Sequence, residues 1–376
     1  MTPKAIELFC GCGGMSTGLL DAGIQVVAGF DHNAASITAF QYNHNYRGAR
    51  GFVTDLETAS KDAITAAASL PESVDLLAGG PPCQPFSIAG KQRGLDDKRG
   101  NLIFRFATYV QEIRPTAFIF ENVPNLARLN DGVLADDLSS ELSALGYDVH
   151  SLVVNVADYG VPQMRKRFVM VGVPEGTPFQ FPTPTHGEAS DLFQTLKPYV
   201  TVAEAIGDLP DVTDPASHDI PNHEPTMHSP QMVEAFRVLK PGTRDKKSYH
   251  DRLHPNRLGY TLRAGSGNFS PLRPVHYKYD RVITVRESAR LQGMSDEFIW
   301  PDPLPRLQQY RQVGNAVPPP LASAIGIQLG EVLSWQLNPE ETRGDASSRA
   351  PAFYLSHQDR HIKRLERLRG ASLGRG

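Results

Sequence analysis

The chain has 376 residues, with 38 Lys and Arg against 41 Asp and Glu and a formal net charge of −3. Hydrophobic residues make up 40 % and charged residues 21 %, which excludes a disordered, collagen-like or coiled-coil chain. Three cysteines in this length exclude a disulfide scaffold and point to a reducing, cytoplasmic setting. No stretch approaches the roughly 18 apolar residues of a membrane-spanning helix. Met1-Thr2-Pro3-Lys4 runs into a strand-like segment with no signal-peptide core before it.

Residues 5–9 form an apolar, strand-like run, followed by glycines and a helix predicted to end at Gly23. Residues 25–30 predict a second strand, 34–42 a helix, and a short third strand precedes Asp55. Residues 74–78 and 117–120 are apolar runs of the buried-strand type, separated by a helical stretch over 102–113. Two more strands are expected at 147–156 and 168–173. Strands alternating with helices predict an α/β fold, a doubly wound parallel sheet covered on both faces.

Beyond Pro174 the alternation stops, and proline, glycine, histidine and polar residues dominate. Residues 174–280 therefore read as a smaller, irregular, β-leaning domain with one short helix near 202–206. Helical periodicity returns over 284–291 and 319–337, so 281–337 is expected to rejoin the domain begun by 1–173. Residues 338–376 are polar, end in a basic run from His361 to Arg369, and are expected to be a flexible tail.

Charge is uneven along the chain. Residues 237–290 carry thirteen Lys and Arg against four Asp and Glu, while 200–235 carry seven acids and no Lys or Arg. A basic block in a mildly acidic protein suits a polyanion-binding face, and it also suits an ordinary solvated surface.

The candidate chemistry lies at the predicted carboxyl ends of the strands. Phe9-Cys10-Gly11-Cys12-Gly13-Gly14-Met15-Ser16-Thr17-Gly18 places glycines at a strand-to-helix turn, where a ligand can approach the backbone. A dinucleotide fingerprint needs glycine where Ser16 stands, so a nucleoside without pyrophosphate fits better than NAD. Asp31, ending the second strand, is placed to accept from ribose hydroxyls, and Asp55 from an adenine amino group. Either acid also suits a helix N-cap. Gly80-Pro81-Pro82-Cys83-Gln84-Pro85-Phe86-Ser87 is a proline-stiffened loop presenting a thiol outside any apolar run, which favours a nucleophile over a packing cysteine. Cys10 and Cys12 have poor zinc spacing, and no metal is expected. Glu121 ends the fifth strand beside that loop and suits proton sharing with a ring nitrogen. Period-two spacing puts Arg165 and Arg167 on one face and Lys166 on the other.

Together these segments resemble one family, the bacterial-type DNA (cytosine-5)-methyltransferases, over about residues 5–329. The resemblance rests on Glu7 through Gly14, Gly80 through Ser87, Glu121-Asn122-Val123, Gln163-x-Arg165-x-Arg167, Arg286 through Gln292, and Gly314-Asn315-Ala316-Val317-Pro318-Pro319, in the family's order. The family more often has Asp at the position of Glu7 and Glu at the position of Asp31.

The resemblance implies a Rossmann-like S-adenosylmethionine-dependent methyltransferase domain and a target-recognition domain. The cofactor would be touched by Phe9, Gly11, Gly13, Asp31, Asp55, Pro82, Leu102 and Asn315. Cytosine C5 is a poor nucleophile until Cys83 adds to C6 and breaks the ring's aromaticity. Glu121, protonated, would bond N3 and the amino group, and Arg165 would hold O2, where negative charge develops. No residue stands out as the base that removes the C5 proton, and water is left to serve. The target base must leave the duplex, with Gln84 and Ser87 placed to fill its space and residues 90–100 resembling a lid. Phosphate and base contacts would come from Arg167, Arg257, Thr261, Arg263 and Arg273, with Thr261-Leu262 matching a Thr-hydrophobic pair of the family.

The implied partner is double-stranded DNA, acted on by a monomer in the bacterial cytoplasm, at the nucleoid. A cognate restriction endonuclease would act separately. A tRNA-methylating branch is the nearest alternative, but its Cys-Phe-Thr signature is missing, since no cysteine follows Cys83. A catalytically silent DNA-binding regulator is a further alternative, opposed by the intact Cys83, Glu121 and Arg165 set.

Overall fold

The apolar runs pair into one seven-stranded sheet. The computed structural model describes residues 2–69, 74–82, 102–188, 196–265, 270–345 and 348. Its first elements are β1 (Lys4–Leu8), α1 (Gly14–Asp21), β2 (Gln25–Asp31), α2 (Ala34–His44), β3 (Arg50–Val53), α3 (Lys61–Ala68), β4 (Leu76–Gly79), α4 (Leu102–Ile113), β5 (Ala117–Asn122), α5 (Val133–Ser143), β6 (Tyr147–Asn155) and β7 (Lys166–Pro174). The strand order is β3-β2-β1-β4-β5-β7-β6. β4 and β5 are buried along their whole length, as befits central strands covered on both faces. α4 lies on the sheet through Phe106, whose ring meets those of Phe118 and Phe120 edge-on at 6.2 and 5.5 Å.

The sheet is not wholly parallel. β1 to β5 run parallel, but β7 pairs antiparallel with both β5 and β6. Only residues 156–165 link β6 to β7, without the long helical crossover that parallel neighbours require.

The chain divides into two compact units, Met1–Tyr159, Arg165–Gly187 and Ala316–Gly344 against Gly160–Met164, Glu188–Asn315 and Asp345–Gly376. These bounds differ from the expected ones. Residues 281–315 stay with the second unit because its buried groups hold them. Asn222 donates to the Trp300 carbonyl at 2.9 Å, and Arg286 donates through Nε to the Pro221 carbonyl at 3.1 Å. The described part of the second unit contains α6 (Val202–Ile206), α7 (Pro230–Val238), α8 (Val285–Leu291) and α9 (Arg306–Asn315). Thr201 and Glu204 box the start of α6, and Thr284 and Glu287 box that of α8. The described strands paired within the second unit are short, the two-residue Asp251–Arg252 with Pro274–Val275, and α7 is a second helix within 174–280. The first unit then closes with α10 (Pro319–Val332) and α11 (Pro339–Arg343).

Six arginines of the basic block are paired within their own unit. Arg237, Arg244, Arg252, Arg281, Arg286 and Arg290 stand at ion-pair distance from Glu234, Asp251, Asp280, Glu287, Asp296 and Asp208 respectively. Asp211 also reaches Arg281 at 3.2 Å. Three acids of the 200–235 stretch, Asp208, Asp211 and Glu234, thus partner arginines of the basic one. No helix among the described residues is long and apolar enough to cross a membrane.

Candidate active site

β1 delivers the chain into the glycine turn at the carboxyl edge of the sheet. Phe9, Gly11 and Gly13 all have positive φ, at 56°, 55° and 90°. A bulky residue such as Phe9 holds that conformation only when its surroundings impose it. Cys10 N–H donates to the Phe30 carbonyl at 3.0 Å, and Gly11 N–H donates to Asp31 Oδ2 at 2.9 Å. A Cβ added at Gly13 would fall 2.4 Å from the His44 ring, whereas one at Gly11 would meet nothing within 4 Å among the described residues. Gly13 thus serves the protein's own packing, and Gly11 leaves backbone open to a ligand.

The acids at this edge are placed differently from one another. Asp31, half-buried, also accepts the Asn33 N–H at 2.8 Å through Oδ1. Asp55 is exposed and caps a turn, accepting from Glu57 N–H at 3.0 Å and Thr58 Oγ1 at 2.9 Å. Leu102 opens α4 in the same unit, while Asn315 ends α9 in the other. Acids at the ends of successive strands suit the hydroxyl and amino donors of a nucleoside and oppose a pyrophosphate.

β4, β5 and the entry to β7 bring the second group together. Glu121 Oε1 lies 2.7 Å from Arg167 Nε. Gly80 faces the other oxygen, since a Cβ there would lie 3.2 Å from Glu121 Oε2. Asn122 Nδ2 donates to the Pro81 carbonyl at 2.9 Å and so ties β5 to the segment that enters the Cys83 loop. Arg165 is 1 % exposed, and its Nη2 donates to the Ala316 carbonyl at 3.3 Å. Burial holds its guanidinium well below the usual arginine range, with neighbouring Arg167 adding to the effect and Glu121 opposing it. Burial likewise lowers Arg167, again opposed by Glu121. Arg167, expected to touch DNA, is turned inward onto Glu121. Lys166 is exposed, as the alternation predicts.

In the second unit Gln163, fully buried, joins three segments. Its Oε1 accepts the Leu262 N–H at 2.9 Å, and its Nε2 donates to the Leu291 carbonyl at 3.0 Å and to Gln292 Oε1 at 2.7 Å. Thr261 donates its hydroxyl to the Met164 carbonyl at 2.5 Å. The sequence offered no role for Gln163 or Asn122, because an amide's partners lie far away along the chain. Thr261, Arg263 and Arg273 line one cavity of about 220 Å³ with Arg244, Asp251 and Tyr260. Arg257 is exposed outside that lining. Cys83, Gln84, Ser87, the expected lid 90–100 and the basic run from His361 lie outside the described residues.

A seven-stranded sheet with a glycine turn after β1 and an acid ending β2 defines a Rossmann-like methyltransferase fold. Comparison with known proteins narrows the class. The C-5 cytosine-specific DNA methylase family matches residues 3–331. The chain is 36 % identical to the type II methyltransferase M1.HphI of Haemophilus parahaemolyticus, over 86 % of each chain. It is 31 % identical to M.XorII of Xanthomonas oryzae, over 88 % of this chain and 85 % of that protein. A prophage-encoded E. coli protein solved as a candidate DNA modification methyltransferase superposes with a TM-score of 0.72 at 26 % identity, covering 89 % of this chain and all of that one. Dnmt2 methyltransferase of S. pombe, at 17 % identity and a TM-score of 0.60, shares the fold over 88 % of this chain and 99 % of its own. The chain therefore belongs to the C-5 cytosine-specific DNA methylases and is a DNA (cytosine-5)-methyltransferase.

Proposed function

We propose that this enzyme methylates C5 of a flipped-out cytosine within a specific duplex sequence, through transient addition of Cys83 to C6, as the modification half of a restriction-modification system. The observation that carries the reading is the cluster of Glu121, Arg165 and Arg167 beside Gly80 and Pro81, which leads directly to Cys83. The names of type II relatives support the restriction-modification setting.

The cluster's chemistry follows from its charges. Cys83 adds its thiolate to C6, and the displaced ring electrons move toward C5, N3 and O2. Glu121 would hydrogen-bond N3 and the amino group, while Arg167 keeps its Oε1 in place. Arg165 donates to O2, where the growing charge meets a desolvated guanidinium. S-adenosylmethionine supplies the electrophilic methyl group when bound. Loss of the C5 proton then returns electrons to the ring and expels Cys83. Phe9, Gly11, Asp31, Asp55, Pro82 and Leu102 would hold the methyl donor, with Gly11 giving backbone access and Asp31 accepting from ribose. Thr261, Arg263 and Arg273 would face DNA from the second unit.

Labelled methyl transfer into DNA and into tRNA tests the substrate, with Cys83→Ala as control. Incorporation into DNA alone, lost in Cys83→Ala, is expected. Denaturant-stable trapping on 5-fluorocytosine DNA tests the covalent step, and a wild-type protein that forms no adduct would refute the nucleophile.

A further inference from the structure

Glu7 carries a carboxyl group that the reaction above does not use. It lies in β1, two residues before Phe9, and is 3 % exposed. Its Oε2 accepts the Ser16 N–H at 2.9 Å and also the Ser16 hydroxyl. Ser16 is the third residue of α1, whose N-cap is Gly13, with φ 90° and no side-chain cap. The usual Ser, Thr, Asp or Asn cap has no room at Gly13, because His44 and Phe40 fill the space of a Cβ there. Glu7 therefore supplies from the neighbouring strand the acceptor that the N-cap lacks. Its acid also lies toward the positive end of the helix dipole.

The same contact fixes the turn between them. Residues 9–13 are tied at one side by Cys10 and Gly11 to Phe30 and Asp31. At the other side they join α1, whose first turn Glu7 holds. Gly11 carries one of these ties through its N–H, and the space where a Cβ would stand on it is empty among the described residues. Resting on the reading of this turn as the methyl-donor site, we propose that Glu7 is its positioning residue: by capping α1 from β1 it keeps Gly11 presented to S-adenosylmethionine and so sets the affinity for that ligand.

The groups facing Glu7 make its charge responsive. Burial pushes its carboxyl up to about 8, opposed by the two Ser16 hydrogen bonds and reinforced by Asp31 of β2 and Glu121 of β5. The thiols of Cys10 and Cys12 in the turn are themselves pushed up, chiefly by burial and also by Glu7, and remain neutral. Near pH 8 the turn's anchor thus passes from a neutral acid to a carboxylate, which holds Ser16 more strongly and draws a cationic sulfonium.

The test is direct binding of S-adenosylmethionine by calorimetry, without DNA, to wild type, Glu7→Gln and Glu7→Asp between pH 6.5 and 9. The ligand's own amino group titrates in this window, so the readout is the ratio of variant to wild-type Kd at each pH. Gln keeps an acceptor for Ser16 but cannot ionise, and its ratio is expected near one at pH 6.5, rising at least threefold by pH 9. Asp keeps the charge but falls one methylene short of Ser16, and its ratio is expected at about tenfold or more throughout. Ratios that stay near one for both variants at every pH would overturn the inference while leaving the cofactor reading intact. A folded wild type that binds no S-adenosylmethionine would overturn the cofactor reading and this inference with it.

Discussion

Arg167 Nε and Glu121 Oε1 form a 2.7 Å ion pair with only about a tenth of either side chain exposed. Removing one partner of such a pair leaves the other charge desolvated, a loss on the order of 3–5 kcal/mol. Arg167→Ala is therefore expected to lower kcat/KM for methyl transfer by roughly 10²-fold or more. Arg167→Lys should recover part of that loss, since it restores charge but not the planar fork. Filter binding separates this role from a phosphate contact. The slope of log Kd for DNA against log salt should match wild type, whereas loss of a phosphate contact would reduce it by about one.

Asn122 makes a second prediction. Its side chain joins the strand of Glu121 to the Pro81 carbonyl, so it aligns the approach to Cys83 with the carboxyl group. Asn122→Leu keeps the volume and deletes the donor, leaving a carbonyl unsatisfied at about 1–3 kcal/mol. Adduct formation on 5-fluorocytosine DNA, followed on denaturing gels, should slow by about tenfold or more if that energy falls on alignment. S-adenosylmethionine affinity should change much less. Equal adduct rates in the two proteins would remove Asn122 from the site.

Charge pairing separates the arginines of the second unit. Arg290 is held at 2.5 and 2.6 Å by Asp208 and Asp296, while Arg257 is exposed. Arg290→Gln should leave the salt slope of DNA binding unchanged. Arg257→Gln should reduce it by about one if the exposed cation meets a phosphate. The reverse pattern would mean that Arg290 exchanges its protein partners for DNA on binding.

These pairings also show what local sequence carries and what it does not. β1, β2 and α4 were legible because apolar runs of strand or helix period report burial directly. Glu121 and Arg165 were legible as site candidates because each lies in a compact local motif. The antiparallel direction of β7 was not, since alternation reads the same in either direction. α5 lies outside the expected elements although Leu134, Leu138 and Leu142 repeat at helical spacing and are buried. α7 likewise lies outside them although Ser229-Pro230 is a helix-start signal that the structure uses. The pairing within the basic block is only partly local: Asp208 and Arg290 are 82 residues apart. The capping role of Glu7 is not readable from its motif, because the missing Gly13 cap is visible only once His44 and Phe40 stand against that glycine.

Glu7 also makes stability depend on pH in a direction opposite to that of most carboxylates. Its carboxyl is raised from an ordinary 4.5 to about 8 in the folded chain. Below the lower value both states hold the proton, and Glu7 carries no penalty. Between the two values the unfolded chain has released its proton while the folded chain retains it, so stability falls as pH rises. Above about 8 both states are ionised and the loss is complete, at a few kcal/mol. Glu7→Gln lacks this dependence while sharing every other titrating group, so the difference between the two proteins isolates the buried acid. Calorimetric melting without ligand should show the wild type losing several degrees relative to Glu7→Gln between pH 5 and pH 8. Melting curves that keep a constant separation over that range would mean that Glu7 is ionised in the folded protein at neutral pH, held as a carboxylate by Ser16.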